Sequence, residues 1–275
     1  MNIGIDIGGT KIIGAARVKP SDEPTLSDKL PSPITAEDGF ATICQLIEKL
    51  AADQPIKAIG VSCPGPLDLT AGRLAEPLNL HWGNLALVDR LEDKFHAPVK
   101  LENDANAAAW GEYKIGNGQG VQTLLYVTIS TGIGTGLIID GEIYHGAHDT
   151  EGGQIILEKS DGHWKSFESL AAGPAIKARY GKEAWEIEDP AIWDEIAGII
   201  AAGLTSLITT LSPERVVLGG GVSTHFDRFG AALNRHLSEL PHPFPLPEVV
   251  PAKNIETAPV LGALLLAEGH KSHSA

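Results

Sequence analysis

Two runs of small residues and one Asn-Asp pair carry the chemistry in this sequence. Asp6-Ile7-Gly8-Gly9-Thr10-Lys11 lies near the start, Ser130-Thr131-Gly132-Ile133-Gly134-Thr135-Gly136 near the middle, and Asn103-Asp104 between them. A turn of small residues exposes consecutive backbone N–H groups, and a positively polarised concavity of that kind binds phosphate oxygens. Gly8, Gly9, Thr10 and Lys11 can do this in one half of the chain, and Thr131, Gly132 and Gly134 in the other. Phosphoryl transfer further needs a carboxylate that orients the attacking hydroxyl and accepts its proton. Asp104 is the candidate: it follows an apolar strand and opens a helix, whose N-terminal field favours the ionised form. The same position would equally suit an aspartate that only caps the helix.

Setting, not number, makes these glycines informative. With 31 Gly in 275 residues, roughly 3.5 adjacent pairs are expected by chance, and the chain has four.

The elements that must position these groups follow from periodicity. Ile3–Ile7 and Ile12–Val18 read as strands joined by the first turn, whose Gly8 and Gly9 can take φ values closed to other residues. Thr35 with Asp38 marks a helix start, after which Phe40, Ile43, Ile47 and Leu50 repeat at helical spacing. Ala58–Cys63 reads as a buried strand stopped by Pro64-Gly65-Pro66. A loop over Leu67–Gly83, a helix through Leu87, Leu91 and Phe95, a strand Val99–Leu101 and a helix Ala105–Tyr113 follow. The pattern then restarts: Thr123–Ile129 and Leu137–Ile139 flank the second turn, taken as Thr131–Gly136. Helices near Phe167–Tyr180, Ile192–Leu211 and Phe226–Leu240 follow, with strand Arg215–Leu218 and a last helix Val260–Ala267. The expectation is an α/β chain of two lobes with similar topology. The first takes residues 1–115 plus the C-terminal 258–275, the second 116–257.

Bulk properties limit the partners. The net charge of −14 without a basic run argues against nucleic acid, whose binding needs neutralised phosphates. A nucleotide ligand is still allowed, because backbone N–H groups and Mg²⁺ can hold phosphates. Cys44 and Cys63 read as buried free thiols in a reducing compartment. Met1 runs directly into the first strand, and no apolar stretch reaches the ~20 residues of a bilayer span. A cytoplasmic protein with no membrane partner is expected.

Asp6-Ile-Gly-Gly-Thr-Lys11, Pro64-Gly-Pro66, Glu102-Asn-Asp-Ala-Asn-Ala-Ala-Ala109, Thr131–Gly136 and Leu218-Gly-Gly-Gly-Val222 occur in this order. In that order and spacing they resemble the ROK family of bacterial sugar kinases and sugar-sensing repressors, over essentially the whole chain. The resemblance implies the two-lobed actin-like ATPase fold, a duplicated ribonuclease H-like architecture. It implies a kinase that passes the γ-phosphate of ATP to the primary hydroxyl of a hexose, glucose first, with fructose, mannose or an N-acetylhexosamine open. Asp104 would be the base, Asp6 a Mg²⁺ ligand acting through water, and Gly219, Gly220 and Gly221 would pass the adenosine. Gly65, Asn79, Asn103, Asp104, Glu151, Gln154 and Glu168 would line the sugar. Relatives are often dimers. A polyphosphate-dependent glucokinase and a catalytically silent sugar-binding protein are the alternatives.

The chain departs from the family at its zinc site. The family's His is Gln154 here, and its three Cys correspond to Lys159, Asp161 and Ser166 when aligned on Glu168. Structural zinc favours a closed four-ligand set of nitrogen and sulfur, which these side chains do not make. No zinc is expected, and Gln154 would instead exchange hydrogen bonds with sugar hydroxyls.

Overall fold

The computed structural model describes residues 1–75 and 80–269. They form two compact units: Met1–Lys114 with the chain from Thr257 onward, and Ile115–Glu256.

In the first unit the elements are β1 (Asn2–Ile7), β2 (Lys11–Arg17), β3 (Thr25–Leu26), β4 (Leu30–Pro31), α1 (Ala36–Ala51), β5 (Ala58–Cys63), β6 (Leu67–Asp68), β7 (Arg73–Leu74), α2 (Leu87–Phe95), β8 (Val99–Asn103) and α3 (Asp104–Ile115). The second unit contains β9 (Leu124–Ile129), β10 (Ile133–Ile139), β11 (Glu142–Ile143), a 3₁₀ turn at Gly152–Gln154, β12 (Ile156–Ser160), β13 (His163–Ser166), α4 (Phe167–Ala171), α5 (Gly173–Tyr180), α6 (Pro190–Leu211), β14 (Arg215–Gly219), α7 (Phe226–Glu239) and β15 (Glu248–Pro251). The last helix, α8 (Ala258–Glu268), returns to the first unit.

The two main sheets follow one path. In the first the order is β3-β2-β1-β5-β8, with β4 also on β2; in the second it is β11-β10-β9-β14-β15. Each starts with an antiparallel hairpin, and the hairpin's first strand then pairs in parallel with a later one. β5 is buried at every position, as a parallel strand covered on both faces must be, and its sequence is accordingly an unbroken run rather than an alternation. α1 starts as its sequence requires: the Thr35 side chain accepts from the Asp38 N–H.

α8 lies directly on the backbone of α3 and of the sheet through Gly262 and Ala263. A Cβ on Gly60 would stand 1.9 Å from the Ala263 carbonyl oxygen, and one on Gly262 1.7 Å from that of Ala107. Its end is fixed by a paired bond from Arg17 to Glu268, at 2.7 and 2.5 Å, with both side chains at least nine-tenths buried. In the second unit Trp193 of α6 stacks on Phe229 of α7 with centroids 5.6 Å apart. Among the described residues only α6 is long and apolar enough to cross a membrane, and half of its apolar stretch is buried as core. Cys44 and Cys63 are buried free thiols.

Three local expectations need correction. The second glycine turn is shorter than Thr131–Gly136, because β10 already begins at Ile133; Gly134 and Gly136 are paired with Thr128 and Tyr126. The helix expected over Phe167–Tyr180 breaks at Ala172, which is extended. Pro174 cannot donate to the preceding turn, and the Gly173 N–H goes instead to the Ser130 carbonyl at 2.7 Å. Finally, β12 and β13 form a hairpin where no strands were expected. Asp161 and Gly162 both take positive φ at its tip, the conformation that makes Asp-Gly a hairpin turn.

Candidate active site

In the first unit the candidate residues gather at the C-terminal ends of the parallel strands β1, β5 and β8, where open α/β sheets bind ligands. Asp6 lies near the end of β1, opposite Ser62 of β5. Ser62, fully buried, donates to Asp6 Oδ1 at 2.8 Å. Burial raises the Asp6 pKa to about 7, the Asp104 charge adds to the rise, and Ser62 and Lys11 oppose it. Cys63, next along β5, is pushed upward by burial and by Asp104 and Asp6, so it is a packing thiol rather than a nucleophile.

The β8–α3 junction sets Asp104. The helix cap is Asn103, not Asp104: Asn103 Oδ1 accepts from the N–H groups of Ala105 at 2.9 Å and Asn106 at 3.3 Å. Asp104 opens α3 and shares the Ala105 N–H, accepting from it through Oδ1 at 2.8 Å. Beneath it, buried Glu102 accepts from the Asn103 N–H at 2.9 Å and from Asn106 Nδ2 at 3.2 Å. Gly65 is brought to this junction, since a Cβ on it would lie 3.4 Å from Asn103 Nδ2. Asn79 falls outside the described residues.

The first glycine turn is open to solvent at Gly9, Thr10 and Lys11. Neither Gly8 nor Gly9 takes a positive φ, so the expected left-handed turn is absent. Glycine at position 8 serves close approach instead: a Cβ there would sit tightly, 3.1 Å from the Lys11 carbonyl oxygen, to which the Gly8 N–H donates at 2.8 Å. Ser32 supports the turn from outside, donating through Oγ to the Gly8 carbonyl at 2.6 Å and through its N–H to Thr10 at 3.1 Å.

The second unit holds the other turn, closed by a bond from the Ser130 N–H to the Gly132 carbonyl at 2.8 Å. Glu151, Gln154 and Glu168 lie around its strand. Thr135 of β10 donates through Oγ1 to the Thr150 carbonyl at 2.9 Å and accepts from the Gly152 N–H at 3.0 Å. A Cβ on Gly153 would lie 2.2 Å from the Ile133 carbonyl oxygen. Glu151-Gly-Gly-Gln154 is therefore pressed onto β10. Gln154 Nε2 donates to Glu168 Oε1 at 3.1 Å. Of the three glycines at the end of β14, two are required within the unit itself: a Cβ on Gly219 would be 1.9 Å from Tyr126 Oη, and Gly220, with φ of 83°, lies against Ile129. Gly221 is exposed, with open space beside it.

The positions corresponding to the zinc ligands have other uses. Lys159 lies over the Trp164 ring at 4.8 Å, Asp161 forms the hairpin tip, and Ser166 caps α4. Sequence reading missed Ser32, Ser62 and Thr135, each of which acts on a partner in another segment, and Glu102, which acts on Asn103 and Asn106 just after it.

Asp6 gives a stability test independent of any ligand. Its folded pKa of about 7 lies above the ordinary carboxylate value of 3.8, so the folded chain keeps a proton that the unfolded chain loses. Destabilisation from Asp6 therefore grows as pH rises from about 4 to 7 and is complete above that. Asp6→Asn, whose amide oxygen can still accept from Ser62, should be more stable than the wild type at pH 8 by about 2–4 kcal/mol. The gap should close towards pH 4. Thermal melts of the ligand-free proteins across that range check it, and a gap independent of pH would remove the assignment.

Comparison with known proteins identifies the family. The ROK family profile matches residues 2–270. The fructokinase of Pediococcus pentosaceus is 31% identical, over 96% of both chains. The glucokinase of Streptomyces coelicolor is 30% identical, covering 82% of this chain and 84% of its own. The crystal structure of a ROK family glucokinase from Streptomyces griseus, in complex with glucose and AMPPNP, superposes with a TM-score of 0.82 at 28% identity, over 98% of this chain and 99% of that one. With two turns of small residues, an aspartate opening a helix at the strand ends and sugar kinases as its relatives, the chain belongs to the ROK family and is a sugar phosphotransferase built on the actin-like ATPase fold.

Proposed function

We propose that this protein is an ATP-dependent hexokinase that phosphorylates the primary hydroxyl of its sugar, with glucose and fructose the first acceptors to test. The observation that carries this reading is the β8–α3 junction. Asn103 takes the capping bonds from Ala105 and Asn106, and Asp104, at the head of α3 with Oδ1 on the Ala105 N–H, supplies the carboxylate that orients a hydroxyl and takes its proton. Asn103 and Gly65, adjacent to each other, contact the sugar beside that base. Glu151, Gln154 and Glu168, grouped around β10, offer acceptors and a donor for sugar hydroxyls. Gly8–Lys11 in one unit and Thr131–Gly132 in the other bind phosphate oxygens through backbone N–H groups, and the open backbone at Gly221 borders the adenosine.

Asp6 fits a role toward Mg²⁺. Ser62 engages one of its two carboxylate oxygens, and a carboxylate raised to about 7 by burial gains from a nearby cation. The cation would neutralise charge developing on the phosphates. Zinc does not fit: Gln154, Lys159, Asp161 and Ser166 provide no set of nitrogen and sulfur ligands. Elemental analysis of chelator-free protein should find far less than one zinc per chain, and a stoichiometric amount would overturn this.

Mixing the protein with glucose, fructose, mannose and N-acetylhexosamines, each with ATP and separately with polyphosphate, tests the whole reading. Sugar-dependent ADP release with one or two hexoses is the expected result. Ligand-induced thermal stabilisation without ADP would mark a silent sugar binder instead.

A further inference from the structure

Glu168 makes contacts that a side chain serving only as a sugar ligand would not need. Its Oε2 accepts from the backbone N–H of Ile133 at 2.8 Å. It lies so close to Gly132 that a Cβ there would be 2.6 Å from it. Its Oε1 accepts from Gln154; only the Gln154 NH₂ group can donate, so that bond leaves the amide oxygen as an acceptor for a ligand. On the other side of the same turn, the Gly173 N–H holds the Ser130 carbonyl at 2.7 Å. The turn Ser130–Gly132 therefore rests on the α4–α5 corner at two points. One is a backbone bond. The other is an ionisable side chain that also belongs to the sugar group, and hydrogen bonds to an ionised acceptor are about twice as strong as neutral ones.

We propose that Glu168 is a positioning residue for the second phosphate turn, so that one carboxylate, braced by Gln154, couples hexose binding to nucleotide binding. The inference rests on the reading that this turn takes phosphate. A sugar hydroxyl donating to Oε1 fixes the plane of the carboxylate and, through Oε2, the N–H groups of Gly132 and Ile133. Either ligand then meets a site already ordered by the other, and the coupling is reciprocal.

Titration calorimetry with AMPPNP and Mg²⁺, in the absence and presence of saturating glucose or fructose, tests this. In the wild type the sugar should tighten AMPPNP binding by about 5–150-fold. Glu168→Ala should lose that coupling and bind AMPPNP about tenfold more weakly even without sugar. Glu168→Gln retains an oxygen for the Ile133 N–H, and should recover sugar-free AMPPNP binding while remaining poor in sugar affinity. A Glu168→Ala protein with wild-type sugar-free AMPPNP affinity would overturn the inference and leave the kinase reading intact. A wild-type protein that binds no AMPPNP would strike the kinase reading itself. Should Glu168→Ala fail to fold, Glu168→Asp, which withdraws the charge by one methylene, decides by the same sugar-free measurement.

Discussion

Asp104→Asn should lower kcat by about 10²–10⁴-fold while the dissociation constant for the sugar changes little. The replacement is nearly isosteric, and its amide oxygen can still accept from the Ala105 N–H that Asp104 Oδ1 now engages. The capping bonds of Asn103 are untouched, so α3 should start where it does now. What disappears is the proton acceptor. Loss of the charge should also lower the Asp6 pKa, because Asp104 contributes to its rise; a titration of Asp6 by NMR would show that shift. Steady-state kinetics with calorimetric sugar binding make the decisive comparison, and near-normal turnover would remove Asp104 from the chemistry.

Gly262→Ala should destabilise the protein severely although it improves helix propensity. An alanine in place of glycine gains about 1 kcal/mol within a helix. Against this, the new Cβ would stand 1.7 Å from the Ala107 carbonyl oxygen, a collision with backbone that no rotamer relieves. Overpacking of side chains alone costs about 1–3 kcal/mol, and moving α8 away from α3 costs more. Gly60→Val, which drives into the Ala263 carbonyl, should yield no folded protein, since total stability is only about 5–15 kcal/mol. Urea midpoints and soluble yield measure both. A Gly262→Ala protein that unfolds at the wild-type midpoint would show that α8 does not lie where it is described.

The sequence made most of this legible where the information is local. Thr35 and Asp38 fix the start of α1, and a run of small residues between apolar strands marks each turn. Where the cause is distant, reading failed. Ser62 sits in an apolar strand like any small residue, and only its partner, 56 positions away, gives it a purpose. Glu102 looks like a strand-end acid, yet it is buried beneath the residues expected to act. The β12–β13 hairpin lacks apolar alternation, so Asp161-Gly162 was its one signal. Gly173-Pro174 should have divided the helix after Phe167, but the regular apolar spacing on either side hid the break. Asp104 opens α3 at the end of β8 as its position in the sequence implies, and the capping bonds go to its neighbour Asn103.

Because α8 completes the first unit, the order of synthesis and the order of folding must differ. β1, β5 and β8 leave the ribosome early, with Gly4 and Gly60 exposing a backbone floor that α8, starting only at Ala258, covers. The second unit, by contrast, is one uninterrupted stretch from Ile115 to Glu256 and can be complete while the first still waits. A ribosome stalled before residue 258 would therefore hold a finished module tethered to an unfinished one, open to chaperones and proteases. The final helix, locked by Arg17 and Glu268, closes that interval.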